Sequence, residues 1–527
     1  MLKNSAEDIG LQIHEAIARN FPIASASDEF FYFPQVKARE PDWGTWDRFS
    51  PEFISGFVKR LSSWEGELDG LSTDSPLLIP GENLEIRVLK NRVQTLGEQL
   101  DIIRTWETQP SFYLTLTCLG LSNALESGRS EAGQRARALP QFLDQAARNL
   151  KDVPELYRDL AMEMIPDTRD YLYMLLPELP ELSPSLEALD RFGECLKNLK
   201  VRPGFILPRE KLDRIIDTHI NSGMGIQEVN GELDLEIQAV NRGLKKEARK
   251  MGMKDWQEGY ESIPLPKAGE EGLLGIFRDE VQNLGLHCRS SGLVSDRIFQ
   301  ANPVRVMPVP GYLSAVRAAS SYSISPGHPP SGGVFYVIDA HDPDEAKRGY
   351  NREYRILAAH ETWPGHHLLD ISRWNLASPV LRALEQPIFY EGWACFAEEL
   401  LWLTDYTQEP RDRLMLLKRR LWRAVRGKVD LGLQTGAMET DEAAEYLTRT
   451  GMGRSQARSS ARKYLLNPGY QLCYTLGLRR FLSLFDRYGE NDPIQFSRNI
   501  LSRGEIGFKE LESLLKPHFT ANGESNQ

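Results

Sequence analysis

The sequence predicts a mainly α-helical protein with one small β element, and three observations carry that prediction. Apolar residues recur at spacings of three and four in stretches rich in Leu, Arg, Glu and Gln, such as Asn83 to Trp106 and Pro140 to Leu150, which is the period of an amphipathic helix. Proline and glycine punctuate the chain at Pro80-Gly81, Pro203-Gly204, Pro310-Gly311 and Pro326 to Gly333, where helices are expected to end. Strand patterning is scarce, and near the chemistry it is confined to Gly333-Val334-Phe335-Tyr336-Val337-Ile338-Asp339. Two readings of that run stand side by side: a core strand of a small sheet, or an edge strand to which an extended peptide adds through backbone hydrogen bonds.

A chain of 527 residues exceeds what one simple core organises, so fused lobes are expected. The chemistry-bearing residues all lie after about Lys267. We therefore divide the chain near residue 260 into an N-terminal helical lobe (1–260), expected to wall a cleft, and a metal-binding catalytic lobe (261–527). The formal charge is −11, with both signs dispersed, which argues against nucleic acid as a partner. No run approaches the ~20 apolar residues of a membrane span, so no membrane partner is expected. Residues 1–22 carry Glu7, Asp8 and Glu15 within an amphipathic pattern and lack the apolar block of a signal peptide. The five cysteines are odd in number and far apart, without paired metal spacing. They read as reduced and buried, and a cytoplasmic location is the expectation.

Only nine histidines occur, yet three fall within Ala358-Ala359-His360-Glu361-Thr362-Trp363-Pro364-Gly365-His366-His367. A histidine followed at once by glutamate and then by another histidine suits a hydrolytic zinc site. Neutral imidazoles hold the ion, and the carboxylate one residue along reaches a bound water. In a regular helix the second imidazole would stand four residues after the first, but that position is Pro364. His366 would sit ~120° off the face of His360, and His367 on that face but ~10 Å further along the axis. Pro364 removes a backbone donor and clashes with the carbonyl of His360, so the helix must bulge or break there, and Gly365 gives the freedom to swing the next imidazole back. His366 is preferred as the second ligand, with His367 as the alternative or as a group that supports the ligands.

The string His360-Glu361-x-x-Pro364-Gly365-His366-His367, followed by Tyr390-Glu391-Gly392-Trp393-Ala394, resembles the bacterial domain-of-unknown-function family 885. By resemblance that family stands among the HE-type, gluzincin-like metallopeptidases, near helical peptidyl-dipeptidases and thermostable carboxypeptidases. The likeness covers roughly 304–477 and implies a large helical fold with a deep cleft and a zinc ion at its floor. In such relatives a Gly-His pair supplies the second ligand, which favours His366. Glu391, 25 residues after His366, is the expected third ligand, since a two-histidine site needs one more protein ligand to hold zinc. The competing reading makes it a helix-capping residue after Pro387. Glu398, seven residues on, shares its face and could orient an imidazole, whereas Glu399 is expected to be solvated. Arg423-Ala424-Val425-Arg426 leading to Asp430 resembles a family helix that ends in histidine, where this chain has Gln434. The segment around Tyr470-Gln471-Leu472-Cys473-Tyr474 resembles a Pro-Gly-Gln-Ala-x-x-Tyr pattern, with Tyr470 in the glutamine's usual place. Tyr474 is then a candidate donor to a developing oxyanion, or a core aromatic.

These residues lead us to expect one Zn2+ per chain, held by His360, His366 and Glu391, with Glu361 as general base and Tyr474 assisting. The expected activity is cleavage of short peptides. Hydrolysis of a non-peptide amide or small metabolite by the same groups is the alternative, and a catalytically idle binding protein is the rival from another class.

Overall fold

The computed structural model describes residues 5–27, 30, 33–36, 41–73, 80–267, 271–309, 320–325, 329–338, 352–489 and 492–523. The expected breaks at Pro310-Gly311 and at 326–328 lie outside them, as does Asp339 at the end of the strand run. The helices that bear on the argument are α1 (Ala6–Asn20), α2 (Pro51–Thr73), α3 (Pro80–Glu98), α4 (Pro110–Ser127), α5 (Arg129–Asn149), α6 (Glu155–Leu175), α7 (Ser183–Lys197), α8 (Ile226–Lys250), α9 (Gly272–Ser290), α10 (Tyr354–Glu361), α11 (His366–Ser372), α12 (Pro387–Leu403), α13 (Pro410–Thr435) and α14 (Tyr470–Tyr488). The mainly helical class predicted from the 3.6-residue periodicity therefore holds, and a three-stranded sheet supplies the small β element. No described helix is long and apolar enough to cross a membrane.

The chain forms two compact units. One contains the described residues up to Arg214 together with Ser378–Glu385, and the other holds most of the chain from Ile215 onward. The first crossing thus falls at Arg214/Ile215 rather than near 260. The cause is α8, whose Glu236 meets Arg420 of α13 at 2.7 Å and whose Glu232 meets Arg479 of α14 at 2.5 Å, which ties it to the half that carries the metal motif. Composition along the chain gives no sign of such pairings.

In the first unit α4 packs against α5 and α6. Arg135 on α5 is fully buried and spends its guanidinium on the carbonyls of Thr45, Asp42 and Gly120, so a charged side chain serves as an internal hydrogen-bond hub. In the second unit α12 and α14 pack at very short range. A Cβ on Gly392 would lie 2.6 Å from Gly477 Cα, and one on Gly477 would lie 2.1 Å from the Ile388 carbonyl oxygen. Any side chain there would force the helices apart, so the glycine beside Glu391 sets how deeply that carboxylate is buried.

The sheet order is β1 (Val304–Pro308), β3 (Gly333–Val337), β2 (Ser321–Ile324), with β1 parallel and β2 antiparallel to β3. The apolar run is thus the central strand, buried along its whole length, and the edge-strand reading of it is corrected. Its near-continuous hydrophobicity reflects burial on both faces. Among the described strands β1 and β2 are the edges of this sheet, and β2 meets the histidine motif through Tyr322 N–H on Glu361.

Candidate metal centre

The motif helix is broken, not bulged: α10 ends at Glu361, and α11 begins at His366. Between them the chain turns through a cis Trp363-Pro364 peptide. The turn is closed by Gly365 N–H donating to the Ala359 carbonyl at 3.0 Å, and by Trp393 Nε1 of α12 donating to the Pro364 carbonyl at 3.0 Å. A Cβ at Gly365 would stand 1.9 Å from the His360 carbonyl oxygen, so this chain crossing accepts glycine alone. The break is what lets His366 face the same point as His360.

His360 Nε2 lies 3.4 Å from Glu391 Oε2, and His366 Nε2 lies 3.6 Å from the same oxygen. All three donor atoms fall within 4.8 Å of one another, and all three residues are buried. Donors bound tetrahedrally at ~2.0–2.1 Å stand ~3.3 Å apart, so the spacing suits one small divalent ion. Glu391 Oε2 accepts no hydrogen bond although it is buried, an orphaned oxygen that a cation would satisfy. The donor set, two imidazoles and one carboxylate, is that of catalytic zinc with a position left open. Glu391 sits in the second turn of α12, whose N-cap position is Gln386, so the capping reading of it fails.

The supporting groups are as specific as the ligands. His360 Nδ1 lies 3.1 Å from Glu398 Oε1, and Arg423 grips both Glu398 oxygens at 2.6 Å, a carboxylate–imidazole arrangement that turns Nε2 toward the cluster. Burial works against an ionised Glu398, but Arg423 and Arg419 outweigh it and hold its pKa far below the usual carboxylate range. Burial also disfavours charge on His360, yet its contacts with Cys395, Glu391 and Glu398 leave its pKa well above the ordinary value, as two carboxylates facing an imidazole should. Tyr470 donates to Glu391 Oε1 at 2.7 Å and thereby leaves Oε2 for the cluster. His366 stacks on Tyr390 at 4.1 Å, which fixes its ring plane.

Glu361, half-buried at the end of α10, accepts the Tyr322 N–H of β2 at 3.0 Å through Oε2. Desolvation raises its pKa, and the neighbouring His360 and His366 oppose that rise. His367 does not join the cluster. Its Nδ1 meets the Tyr322 hydroxyl and its Nε2 the Asn302 carbonyl, both at 3.0 Å, and burial lowers its pKa to about 4. Tyr474 donates to the Tyr470 hydroxyl at 3.1 Å, and Tyr470 in turn holds Glu391. Gln434 is buried, with its amide on the Leu465 carbonyl.

Glu399 is corrected: it is buried, not solvated, and pairs with Arg413 at 2.5 Å and Arg420 at 2.7 Å. The side of α12 that carries Glu398 and Glu399 meets the arginines of α13, which spacing on α12 alone does not reveal. Two supporting residues went unassigned in the sequence, Tyr470 and Arg423. Tyr470 is one turn before Tyr474 on the same face, and Arg423 belongs to the dense series Arg419, Arg420, Arg423 and Arg426. Either pattern signals a buried charge network more than a wet surface. Glu398→Gln should keep the fold but loosen His360, lowering metal affinity by roughly 10-fold to 100-fold in a competition titration. Unchanged affinity would show that Glu398 serves only Arg423.

Fold and site together define a mainly helical protein with a buried two-histidine, one-carboxylate centre. The chain belongs to a family described as "Bacterial protein of unknown function (DUF885)", whose model matches residues 184–515, more than half of the sequence. No curated protein matches it. Two solved structures share the fold. "The structure of a putative lipoprotein of unknown function from Shewanella oneidensis" is 16% identical, with a TM-score of 0.73 over 97% of this chain and 100% of that one. "The crystal structure of the putative lipoprotein from Colwellia psychrerythraea" is 14% identical, with a TM-score of 0.74 over 98% and 100%. These titles overturn the cytoplasmic expectation, since a lipoprotein is tethered to a membrane by its acyl chains. The cysteine argument fails for a physical reason: Cys118, Cys288, Cys395 and Cys473 are buried and unpaired, so they would stay thiols in an oxidising compartment too.

Proposed function

We propose that the chain is a zinc-dependent hydrolase that cleaves peptide bonds of short peptides. The observation that carries the reading is the buried trio of His360, His366 and Glu391, whose donor atoms lie within 4.8 Å of one another, with Glu361 one residue beyond His360. When bound, zinc would polarise the scissile carbonyl and acidify a water molecule. Glu361, tethered through Oε2 to Tyr322 N–H, keeps Oε1 for that water, takes its proton and returns it to the leaving amine. Glu398 and Arg423 fix the tautomer and angle of His360, and Tyr470 fixes Glu391. Support for a peptide comes from the position of β2, an edge strand of the described sheet that stands beside Glu361.

The test is metal analysis of the purified protein coupled to an untargeted peptide-cleavage screen. About one zinc per chain and a cleavage activity abolished by a chelator and restored by zinc are the expected results. Stoichiometric zinc with cleavage confined to acylated small molecules would move the substrate class. Absence of bound metal after zinc loading would remove the reading.

A further inference from the structure

The helix α13 carries a row of arginines, and all but one meet carboxylates. Arg419 pairs with Glu353, Arg420 with Glu236 and Glu399, and Arg423 with Glu398. Arg426, one turn beyond Arg423, instead lies against two aromatic rings, 3.7 Å over Tyr474 and 4.2 Å over Trp422. It is only 7% exposed, and its Nε and Nη2 are buried without an acceptor. Trp422 Nε1 beside it is also buried and unsatisfied. Three buried donors on these two stacked side chains thus lack an acceptor among the described residues.

A buried guanidinium without a counter-charge costs several kcal/mol, which a fold tolerates where a ligand completes the pair. Nε and Nη2 lie on one edge of the guanidinium plane, the edge that makes two parallel bonds to a carboxylate. One such edge, walled by indole and phenol rings, matches a singly charged planar anion on an otherwise apolar ligand. Tyr474 on the other side of the contact leads through Tyr470 to Glu391 by hydrogen bonds of 3.1 and 2.7 Å, so the guanidinium stands about one ring beyond the metal centre. An extended peptide bridges that span with one to three residues at ~3.4 Å each.

We propose that Arg426, assisted by Trp422, anchors the substrate through a carboxylate, the free C-terminus of a short peptide. The word substrate rests on the hydrolase reading, but the binding itself does not. The test is calorimetric titration of N-acetyl-trialanine, as free acid and as C-terminal amide, into the Glu361→Gln protein. The free acid is expected to bind at least ~30-fold more tightly, as for a buried charge given or denied its partner. In Arg426→Met, which keeps an apolar stem on Tyr474, the two should bind alike. Arg426→Lys guards against a folding defect, since it keeps the charge but not the fork, and it should bind the acid at least ~10-fold more weakly with amide binding unchanged. An amidated peptide ending in aspartate or glutamate distinguishes the source: binding as tight as the free acid assigns the carboxylate to a side chain. Equal affinity of every arm for the parent protein, or discrimination that survives in Arg426→Met, would overturn the proposal while leaving the hydrolase reading intact. Preserved discrimination in a protein that cleaves nothing would sink the hydrolase reading alone.

Discussion

Replacing Glu361 by glutamine is expected to lower kcat by roughly 10²-fold to 10⁴-fold, the usual cost of removing a general base, with bound metal and melting temperature nearly unchanged. The fold should survive because glutamine keeps the oxygen that accepts Tyr322 N–H at 3.0 Å. The metal should survive because Glu361 lies outside the three-atom cluster, its side chain ~100° around the helix from that of His360. Metal content measured alongside turnover decides the matter. Loss of zinc would make Glu361 a ligand, and full activity with zinc retained would refute the mechanism.

The second large effect concerns the ligands. His360→Ala and His366→Ala should each strip the protein to well below one zinc per chain after dialysis, since two remaining protein ligands compete poorly with water and buffer. His367→Ala should retain it, because both nitrogens of His367 are committed to Tyr322 and Asn302. Its cost should appear instead in stability, by about 1–3 kcal/mol for partners left buried without a bond, read as a lowered denaturation midpoint. Equal metal loss in His366→Ala and His367→Ala would mean that the two imidazoles exchange across the broken helix.

The membership in a family without assigned activity makes these measurements informative beyond one chain, because the groups at issue lie within the matched residues 184–515. His360, His366 and Glu391 were legible because ligand chemistry is local and rare: three of nine histidines in one decapeptide, beside a glutamate and a proline that forbids a regular helix. The direction of His366 was legible for a related reason, since the Pro364-Gly365 pair forces the chain to turn where an unbroken helix would carry the imidazole away. Even so, a bulge and a break predict the same ligand, and only the folded turn, closed by Trp393 on the Pro364 carbonyl, separates them.

Sequence by itself determined the helical class, the small sheet and the candidate ligands, because each depends on period, turn chemistry or donor type within a short stretch. Tertiary structure decided the rest: the central place of β3, the unit boundary at Arg214/Ile215, the burial of Glu399, the contacts of Tyr470 and Arg423, and the burial of Arg426 without an acceptor for its Nε and Nη2. Each of these is a question of which side chains meet across helices distant in the chain. The answer is set by how closely backbones approach, as at Gly392 and Gly477, where a single added Cβ would separate the two helices and with them Glu391 from Tyr470.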